Sequence, residues 1–311
     1  MPGIYYVFAA PPCTGGDYIA VEHVAVLNRL GFNARAFYCS RDDGWRQFTV
    51  PIALPGPPLG TKDVFIAGED QSVIFAGLRN APCIKIMNNQ NPYYTFDGFP
   101  KIEDLNSYPF SHMIVLTDFC GAMLRELGVT HPISRVHPAL PAYFLPGKKR
   151  LQIAFSPRKR PIEARFLEAY FKSRVPEYAH VPWVPLANMS RDALAPILAV
   201  SAVYAGLPWL ESLGLMNLEA MASGCHVVAY TGHGGIEYAT PENGDWIPDG
   251  DHTAFVEKLR EACLMFESGK ENSKVAAGLD TAAIYSEANF ELELMNAWKA
   301  ILGDSLSDYR L

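Results

Sequence analysis

Short apolar runs of strand length alternate with segments of helical period along nearly the whole chain of 311 residues. In the first half, the predicted strands cover residues 4–10, 34–39, 63–68, 83–87, 112–118 and 133–140, and the predicted helices cover residues 18–30, 71–80 and 119–127. A strand followed by a helix and a second strand is typical of right-handed crossovers, which join parallel neighbours in one sheet. The alternation therefore predicts an α/β protein built on mostly parallel sheets.

A stretch rich in proline and lysine, PALPAYFLPGKKR (138–150), interrupts this rhythm and is the candidate linker. Beyond it, strands are predicted over residues 151–156, 201–206 and 226–230, and helices over 161–173, 191–200, about 213 to a cap at Gly224, 252–267, 273–284 and 287–302. A chain of this length is long for one hydrophobic core and suits two domains of about 150 residues each. We therefore predict two doubly wound, Rossmann-like domains that face each other across a cleft, divided at 145/146.

The composition excludes several classes of protein. The formal charge of −7 argues against a general nucleic-acid binder, which needs a basic face. No apolar run approaches the roughly 20 residues that cross a bilayer, and the first residues lack the basic flank of a signal peptide, so we expect a cytoplasmic protein. The scattered cysteines form no CxxC pair and are expected to be free thiols: Cys13, Cys39, Cys83, Cys120, Cys225 and Cys263.

Two acidic residues, Glu211 and Glu219, stand among apolar side chains in the segment ESLGLMNLEAMASG (211–224). A buried carboxylate is costly unless something pairs with it. With a helix beginning near Leu213, Glu211 is predicted to lie just ahead of the helix, at the carboxyl edge of the sheet. Glu219 would lie roughly 12 Å further along, at about 1.5 Å per residue.

The start of this predicted helix offers backbone N–H groups to an anion. The residues concerned are Leu213, Gly214, Leu215 and Met216, and the glycine lets a ligand approach the backbone closely. A ligand with hydroxyl groups at both ends and phosphate in the middle suits this spacing. The alternative is structural, with Glu211 capping the helix and Glu219 paired to an arginine of the core.

Basic residues cluster after the predicted strand 151–156, in a chain that is acidic overall. Arg158, Lys159 and Arg160 follow this strand directly, where they would meet a small anion at the edge of the sheet. The alternative is a solvated turn at the start of the next helix.

The acidic pairs do not predict a metal site. Glu69-Asp70 lacks a third ligand nearby in sequence, and Asp249-Gly-Asp251 lies in a turn where Asp251 is expected to cap a helix.

The segment from Glu211 through Glu219 to the run HVVA (226–229) resembles the signature of the retaining GT-B glycosyltransferases of family 4, the glycosyl transferases group 1. That signature has two glutamates separated by seven residues, a Gly-Leu pair between them, then Ala-Met-Ala, a glycine and a Val-Val strand. Further likeness lies in Thr14-Gly15-Gly16, in residues 116–129, in Thr231-Gly-His-Gly-Gly-Ile-Glu237 and in residues 286–298. The likeness is strong in the second half and mainly architectural in the first.

The resemblance implies a role for each residue of the motif. Glu211 would hold hydroxyl groups of the transferred sugar, and Glu219 would hold the ribose of the nucleotide. The backbone amides around Gly214 and Leu215 would receive the diphosphate. Residues 146–286 would form the donor-binding domain and residues 1–145 the acceptor-side domain, with the C-terminal helix, about 287–311, packed back on the latter.

The resemblance also implies two cations near the diphosphate. Arg158 and Lys159 are the preferred candidates and Arg160 is a near equal, because the stretch SPRKRP (156–161) lacks the usual Gly-Arg start and has no gap before the lysine. Fixed cations would stabilise the leaving diphosphate as negative charge develops on it.

Family members often place a histidine of the first domain near the donor sugar. This chain has Asn88-Asn89-Gln90-Asn91 after the predicted strand 83–87 instead, and Asn89 and Gln90 are candidates for contacts with sugar hydroxyls. Gly15 and Gly16 would bring the backbone of the first domain against the sugar phosphate. Simple turns are the alternative at both places.

The resemblance thus implies metal-independent transfer of a hexosyl-like sugar from a nucleotide diphosphate to a hydroxyl group, with retention of configuration and without a cofactor. A role in polysaccharide biosynthesis is expected, but the acceptor is open among carbohydrates, lipid-linked sugars and small molecules. Peripheral membrane contact is also open, although no basic amphipathic helix favours it. The alternatives are a GT-B nucleotide-sugar 2-epimerase and a non-catalytic protein that binds sugar nucleotides.

Overall fold

The chain forms two compact units in a computed structural model that describes residues 1–8, 14–38, 50–53 and 59–311. The N-terminal unit comprises Met1–Pro138 and Phe290–Leu311, and the C-terminal unit comprises Ala139–Asn289. The first boundary therefore lies at the start of the proline-rich stretch rather than at 145/146. Cys13, Cys39 and the predicted strand ends at residues 9–10 and 39 lie outside the described residues.

The sheet of the N-terminal unit contains seven parallel strands in the order β3-β2-β1-β4-β5-β6-β7. They are β1 (Ile4–Phe8), β2 (Ala34–Tyr38), β3 (Ile52–Ala53), β4 (Val64–Gly68), β5 (Ile84–Asn89), β6 (His112–Val115) and β7 (Ile133–Arg135). The helices of this part of the chain are α1 (Gly15–Arg29), α2 (Ser72–Leu78), α3 (Thr95–Gly98), α4 (Ile102–Asn106) and α5 (Asp118–Glu126). β2 and β3 lie in sequence order on one side of β1, and β4 to β7 lie in sequence order on its other side.

The sheet of the C-terminal unit contains five parallel strands in the order β12-β11-β10-β8-β9. They are β8 (Arg150–Phe155), β9 (Trp183–Pro185), β10 (Ser201–Gly206), β11 (His226–Ala229) and β12 (Asp245–Trp246). The helices of this part of the chain are α6 (Pro161–Arg174), α7 (Arg191–Val200), α8 (Leu215–Ala222), α9 (His252–Glu267) and α10 (Ser273–Ile284), and α11 (Glu287–Leu302) leads from this unit into the N-terminal unit. The two parallel sheets confirm the predicted α/β class.

The central strand β10 is buried along its whole length, as expected for a parallel strand covered on both faces. The chain leaves β8 toward β9 on one side and later returns to β10 on the other side. The point between β8 and β10 is thus a topological switch point, where ligands of doubly wound sheets bind beyond the carboxyl ends of the strands.

Helix α11 belongs to the N-terminal unit from Phe290 onward, and its apolar face is part of that unit's core. Trp298 is fully buried, and the ring of Phe290 lies 5.2 Å from the ring of His23 on α1. Burial lowers the pKa of His23 to about 3, so its imidazole is neutral at physiological pH and accepts or donates one hydrogen bond with the Tyr6 hydroxyl at 2.9 Å. Burial of these rings fixes the last helix to the first sheet.

Candidate active site

Glu211 meets two of the predicted cations at the switch point of the C-terminal unit. Because β8 and β10 are parallel neighbours, the loops that follow them lie at the same edge of the sheet. The Nζ atom of Lys159 lies 3.3 Å from Oε1 of Glu211, and Nη2 of Arg158 lies 3.9 Å from the same oxygen. Lys159 also donates a hydrogen bond of 3.1 Å to the carbonyl of Trp209. The sequence motif and the basic cluster thus form one charged group.

Hydrogen bonds to the glycine-rich turn after β11 fix the backbone of Glu211. Its N–H donates to the carbonyl of Gly232 at 2.9 Å, and the N–H of Gly234 donates to the carbonyl of Glu211 at 3.0 Å. Leu210, which precedes Glu211, and His233, which forms an isolated parallel β-bridge with Glu211, have positive φ angles of 49° and 75°. Such angles are uncommon for residues with a side chain. Strained backbone of this kind clusters at functional sites.

The helix after Glu211 begins later than the sequence predicted. Gly214 has a φ angle of +79°, so α8 begins at Leu215 rather than near Leu213, and no side chain caps it. Glu211 is therefore not a helix cap. The side chain of Leu213 is buried in the core, which leaves only its backbone for a ligand. The first-turn N–H groups of Leu215 and Met216 have no partner within the helix, as at any helix start.

We expect Gly234→Ala to destabilise this loop strongly, because a Cβ atom at position 234 would lie 2.0 Å from the carbonyl oxygen of Ser212. Such overpacking against backbone costs about 3 kcal/mol of unfolding free energy. The matched control is Gly235→Ala, where the nearest atom is the hydroxyl of Tyr238 at 3.3 Å, at the end of a side chain. Denaturant unfolding followed by circular dichroism measures both. Equal losses of stability in the two variants would contradict the prediction.

Glu219, the second glutamate, is 2% exposed on α8 and pairs with an arginine that the sequence did not single out. Nε of Arg191, the first residue of α7, donates to Oε1 of Glu219 at 2.5 Å. Burial raises the pKa of Glu219, and the Arg191 guanidinium offsets only part of that rise. The arginine partner is the feature of the structural alternative, so ribose binding by Glu219 stays a prediction.

Arg160 has different partners from those the sequence predicted. Its guanidinium donates to Glu163 at 2.8 Å and to Asp249 at 2.9 Å, and it lies over the ring of Trp209 at 4.5 Å. Burial lowers the pKa of Arg160, but the hydrogen bonds with Asp249 and Glu163 raise it overall. Because these carboxylates occupy the guanidinium, Arg160 supports Trp209, whose carbonyl holds Lys159, rather than facing Glu211.

Asn89, another predicted contact residue, has partners inside the N-terminal unit. It ends β5 with its side chain fully buried, and its amide donates to the hydroxyl of Thr95 at 2.7 Å. The thiol of Cys120 donates to Oδ1 of Asn89 at 3.3 Å. Successive side chains of a strand point to opposite faces, so the polar run could not all face one site.

Gln90 lies beside the glycine-rich start of α1, so two predicted features of the N-terminal unit come together. A Cβ atom at Gly16 would lie 2.3 Å from Oε1 of Gln90. Only glycine at position 16 leaves room for that side chain in its present place. Gly15 is exposed at the first position of α1, behind a capping box formed by Thr14 and Asp17.

Glu69 fixes the backbone of this polar turn, a role that sequence reasoning missed. Its carboxylate accepts the N–H groups of Gln90 at 3.0 Å and Asn91 at 2.8 Å. Burial raises the pKa of Glu69 to about 7, and these two hydrogen bonds act in the opposite direction. The position of Glu69 directly after β4 was visible in the sequence, but nothing there indicated its partner across the sheet.

Metal-binding clusters and membrane-spanning helices are not found in the described parts of the chain. Residues 1–8, 14–38, 50–53 and 59–311 contain no group of three or more histidine, cysteine, aspartate or glutamate side chains that could hold a metal ion. Within the same ranges, no helix combines the length and the apolar character needed to cross a membrane. Metal independence and a cytoplasmic location stay predictions. The described cysteines Cys83, Cys120, Cys225 and Cys263 are buried free thiols.

Comparison with known sequences gives two matches. The family model described as "Glycosyl transferases group 1" matches residues 181–274, which include both glutamates and the glycine-rich turn. A protein of Actinobacillus pleuropneumoniae serotype 7 (strain AP76) named "Alpha-1,6-glucosyltransferase" is 35% identical over 289 residues. That alignment covers 89% of this chain and 88% of the relative.

Comparison with solved structures gives likeness along almost the whole chain. The Anabaena protein Alr3699/HepE, crystallised with UDP-glucose, matches with a TM-score of 0.71 at 11% identity and covers 96% of this chain and 99% of its own. Sucrose-phosphate synthase from Thermosynechococcus elongatus matches with a TM-score of 0.70 at 13% identity, over 97% of this chain and 99% of its own. At such low identity the likeness shows the fold alone, and it confirms the predicted GT-B class.

Proposed function

The chain belongs to the glycosyl transferases group 1, and we propose that it is a retaining glucosyltransferase with UDP-glucose as donor. The name of the relative that is 35% identical supports a glucosyl unit and an α-1,6 linkage. The Anabaena protein of the same fold was crystallised with UDP-glucose. UDP-glucose carries its glucosyl unit in the α configuration, so an α-1,6 product would correspond to retention.

The observation that carries this proposal is the contact of Glu211 with Lys159 and Arg158 beyond the ends of β8 and β10. A nucleotide sugar has hydroxyl groups and a diphosphate next to each other, which require an acceptor and cations at neighbouring positions. In the proposed complex Glu211 accepts hydrogen bonds from glucosyl hydroxyl groups. The two cations lie against the diphosphate, where fixed charge stabilises the departing group without reorganisation.

The chemical step needs no general base from the protein. The bond between the anomeric carbon and the diphosphate oxygen breaks, and a bond from the same carbon to the acceptor oxygen forms on the same face. The proton of the acceptor hydroxyl passes to the departing phosphate oxygen, so UDP leaves as the other product. Lys159 and Arg158 stabilise the negative charge that develops on UDP, and no metal ion is required.

The remaining contacts follow the donor along its length. The first-turn N–H groups of α8, at Leu215 and Met216, and the backbone of Gly214 would receive the diphosphate. Glu219 would accept a hydrogen bond from the ribose. In the N-terminal unit, the neighbouring Gly16 and Gln90 are the proposed contacts with a sugar substrate. The acceptor is proposed only as a compound with a primary hydroxyl group, as an α-1,6 linkage requires.

We expect UDP and UDP-glucose to stabilise the protein against heat more than the GDP, dTDP and ADP analogues do. A ligand at 100 times its dissociation constant adds about 2.7 kcal/mol of stability. For a chain of this size that corresponds to a rise in Tm of several degrees. A thermal-shift titration measures this, with UMP as the control that lacks the second phosphate. Equal changes in Tm with the nucleotides of all four bases, or no change with any of them, would contradict the proposed donor.

The stereochemical part of the proposal is tested on the product. Incubation with UDP-glucose and methyl glucoside, followed by NMR, should show an α-linked disaccharide and equimolar UDP. A β-linked product would overturn retention. Conversion of the donor to its 2-epimer, without UDP release, would instead identify an epimerase.

A further inference from the structure

Trp209 is an exposed aromatic residue in the loop after β10, two positions before Glu211. It is 42% exposed, whereas the apolar side chains of Leu207 and Leu213 in the same loop are buried. A single exposed apolar side chain is common on a protein surface and needs no explanation by itself. Trp209 differs because other residues hold its ring in place beside the charged group of the candidate active site.

The guanidinium of Arg160 supports one face of the Trp209 ring. It lies 4.5 Å from the ring centroid, and hydrogen bonds to Glu163 at 2.8 Å and to Asp249 at 2.9 Å keep it there. The Arg160 side chain is 12% exposed, so it lies on the protein side of the ring. The exposed area of Trp209 therefore lies on the opposite face and at the ring edges, where a ligand can reach it.

A pyranose ring has the chemistry that suits such a surface. The faces of a glucopyranose chair carry axial C–H groups, whose hydrogen atoms are slightly positive. The face of an aromatic ring is the negative part of its quadrupole, so the two surfaces attract each other. A ring that is fixed before the ligand arrives also loses less conformational freedom on binding.

The surroundings of Trp209 point to the acceptor rather than to the nucleotide. Arg160 and Asp249 precede α6 and α9, which share one apolar core with the sheet. Glu219, the proposed ribose contact, lies instead on α8, which packs against α7. The carbonyl of Trp209 accepts a hydrogen bond from Lys159, which is proposed to lie against the departing phosphate. In transfer with retention, the acceptor oxygen approaches beside that phosphate.

We propose that the acceptor of this chain is a hexopyranose whose ring stacks on the exposed face of Trp209. The sugar hydroxyl groups then point away from the indole, and the primary hydroxyl group on C6 is directed toward the glucosyl carbon. The inference rests on the proposed function and adds to it the class of acceptor and the residue that selects it. An alcohol without a ring gains nothing from this surface.

Steady-state kinetics with methyl glucoside and with glycerol as acceptors test this inference. Both compounds have a primary hydroxyl group, but glycerol has no ring to stack. In Trp209→Leu, kcat/KM for methyl glucoside should fall about tenfold. Transfer to glycerol, hydrolysis of UDP-glucose by water and the Kd of UDP should each stay within about threefold of the wild type.

Two further variants separate stacking from support of the loop. The hydrogen bond from Lys159 goes to the backbone of residue 209, so it remains possible in every variant. Trp209→Phe keeps an aromatic face and should keep kcat/KM for methyl glucoside within about threefold of the wild type. Phe166→Leu changes an aromatic side chain of the same unit that is 49% exposed, and it should behave as the wild type does.

A second measurement does not depend on the folding of the leucine variant. Incorporation of 5-fluorotryptophan gives a fluorine NMR signal for Trp209, which is identified by its absence from Trp209→Phe. Methyl glucoside added to the protein with bound UDP should shift this signal, and the same concentration of glycerol should not.

The outcomes distinguish this inference from the function on which it rests. If the wild type neither binds UDP nor releases it from UDP-glucose, the proposed function is wrong and the inference falls with it. If the wild type uses UDP-glucose but Trp209→Leu weakens UDP, or lowers all the rates by one factor, the acceptor does not stack on Trp209. Equal use of methyl glucoside and glycerol by the wild type would also overturn the inference. Selective loss of transfer to methyl glucoside supports it.

Discussion

Replacement of Glu211 by glutamine will lower kcat for glucosyl transfer by about 10²- to 10³-fold while UDP still binds. The substitution keeps the shape of the side chain but removes the charge that lies 3.3 Å from Lys159. An amide is a weaker acceptor for sugar hydroxyl groups, and its neutral oxygen attracts the Lys159 ammonium group less strongly than a carboxylate does. The glucosyl unit would then lose its fixed orientation, and a small misplacement at the reacting carbon has a large effect on rate.

Release of UDP from UDP-glucose, measured at steady state with methyl glucoside, checks this prediction. The affinity for UDP alone should change by less than about threefold, because UDP lacks the sugar that Glu211 is proposed to contact. Glu242→Gln removes a negative charge from an exposed position of the same unit and should leave kcat unchanged. A Glu211→Gln enzyme with wild-type kcat would remove the central residue of the proposed site.

The order of strands and helices could be predicted from the sequence, because it depends on local patterns. The helices at residues 252–267, 273–284 and 287–302 have the predicted bounds, because apolar periodicity marks each of them. Asp251 and Asn272 also cap the first turns of the first two. The first residue of α8 could not be predicted correctly from the sequence. Its position depends on the left-handed backbone of Gly214, and a glycine among apolar residues does not reveal its φ angle.

The contact between Glu211 and Lys159 could also be anticipated, since both residues follow strands that end at one edge of the sheet. The partners of individual side chains could not. Arg160 is next to Lys159 in sequence, yet it points to Glu163 and Asp249 because its side chain leaves the turn in a different direction. Arg191 pairs with Glu219 through the packing of two helices, which no spacing in the sequence encodes.

Replacement of Lys159 by methionine is the second change with a large expected effect, a loss of about 10²- to 10³-fold in kcat. Lys159 lies between Glu211 and the carbonyl of Trp209, so its ammonium group is held in a fixed position before the donor binds. A charge that is already in place stabilises the departing diphosphate without reorganisation. Methionine keeps the length of the aliphatic chain and removes only that charge.

Binding experiments with UDP and UMP show which phosphate of the donor loses its contact when Lys159 is replaced. Lys159→Met should weaken UDP by about tenfold and UMP by less than threefold, because UMP lacks the outer phosphate. Lys148→Met, at an exposed position of the linker stretch, is the charge-matched control and should bind both nucleotides as the wild type does. Equal weakening of UDP and UMP would place Lys159 away from the outer phosphate.

Arg158 provides an internal comparison within the same loop. Its guanidinium lies 3.9 Å from Glu211 and its side chain is 73% exposed, whereas the side chain of Lys159 is 21% exposed and lies closer. Water screens the charge of an exposed side chain, and such a side chain loses conformational freedom when it binds a ligand. Both factors weaken the interaction of Arg158 with the diphosphate. Arg158→Met is therefore expected to lower kcat less than Lys159→Met does, by about tenfold. The reverse order would mean that Arg158, and not Lys159, is the cation that stabilises the leaving diphosphate.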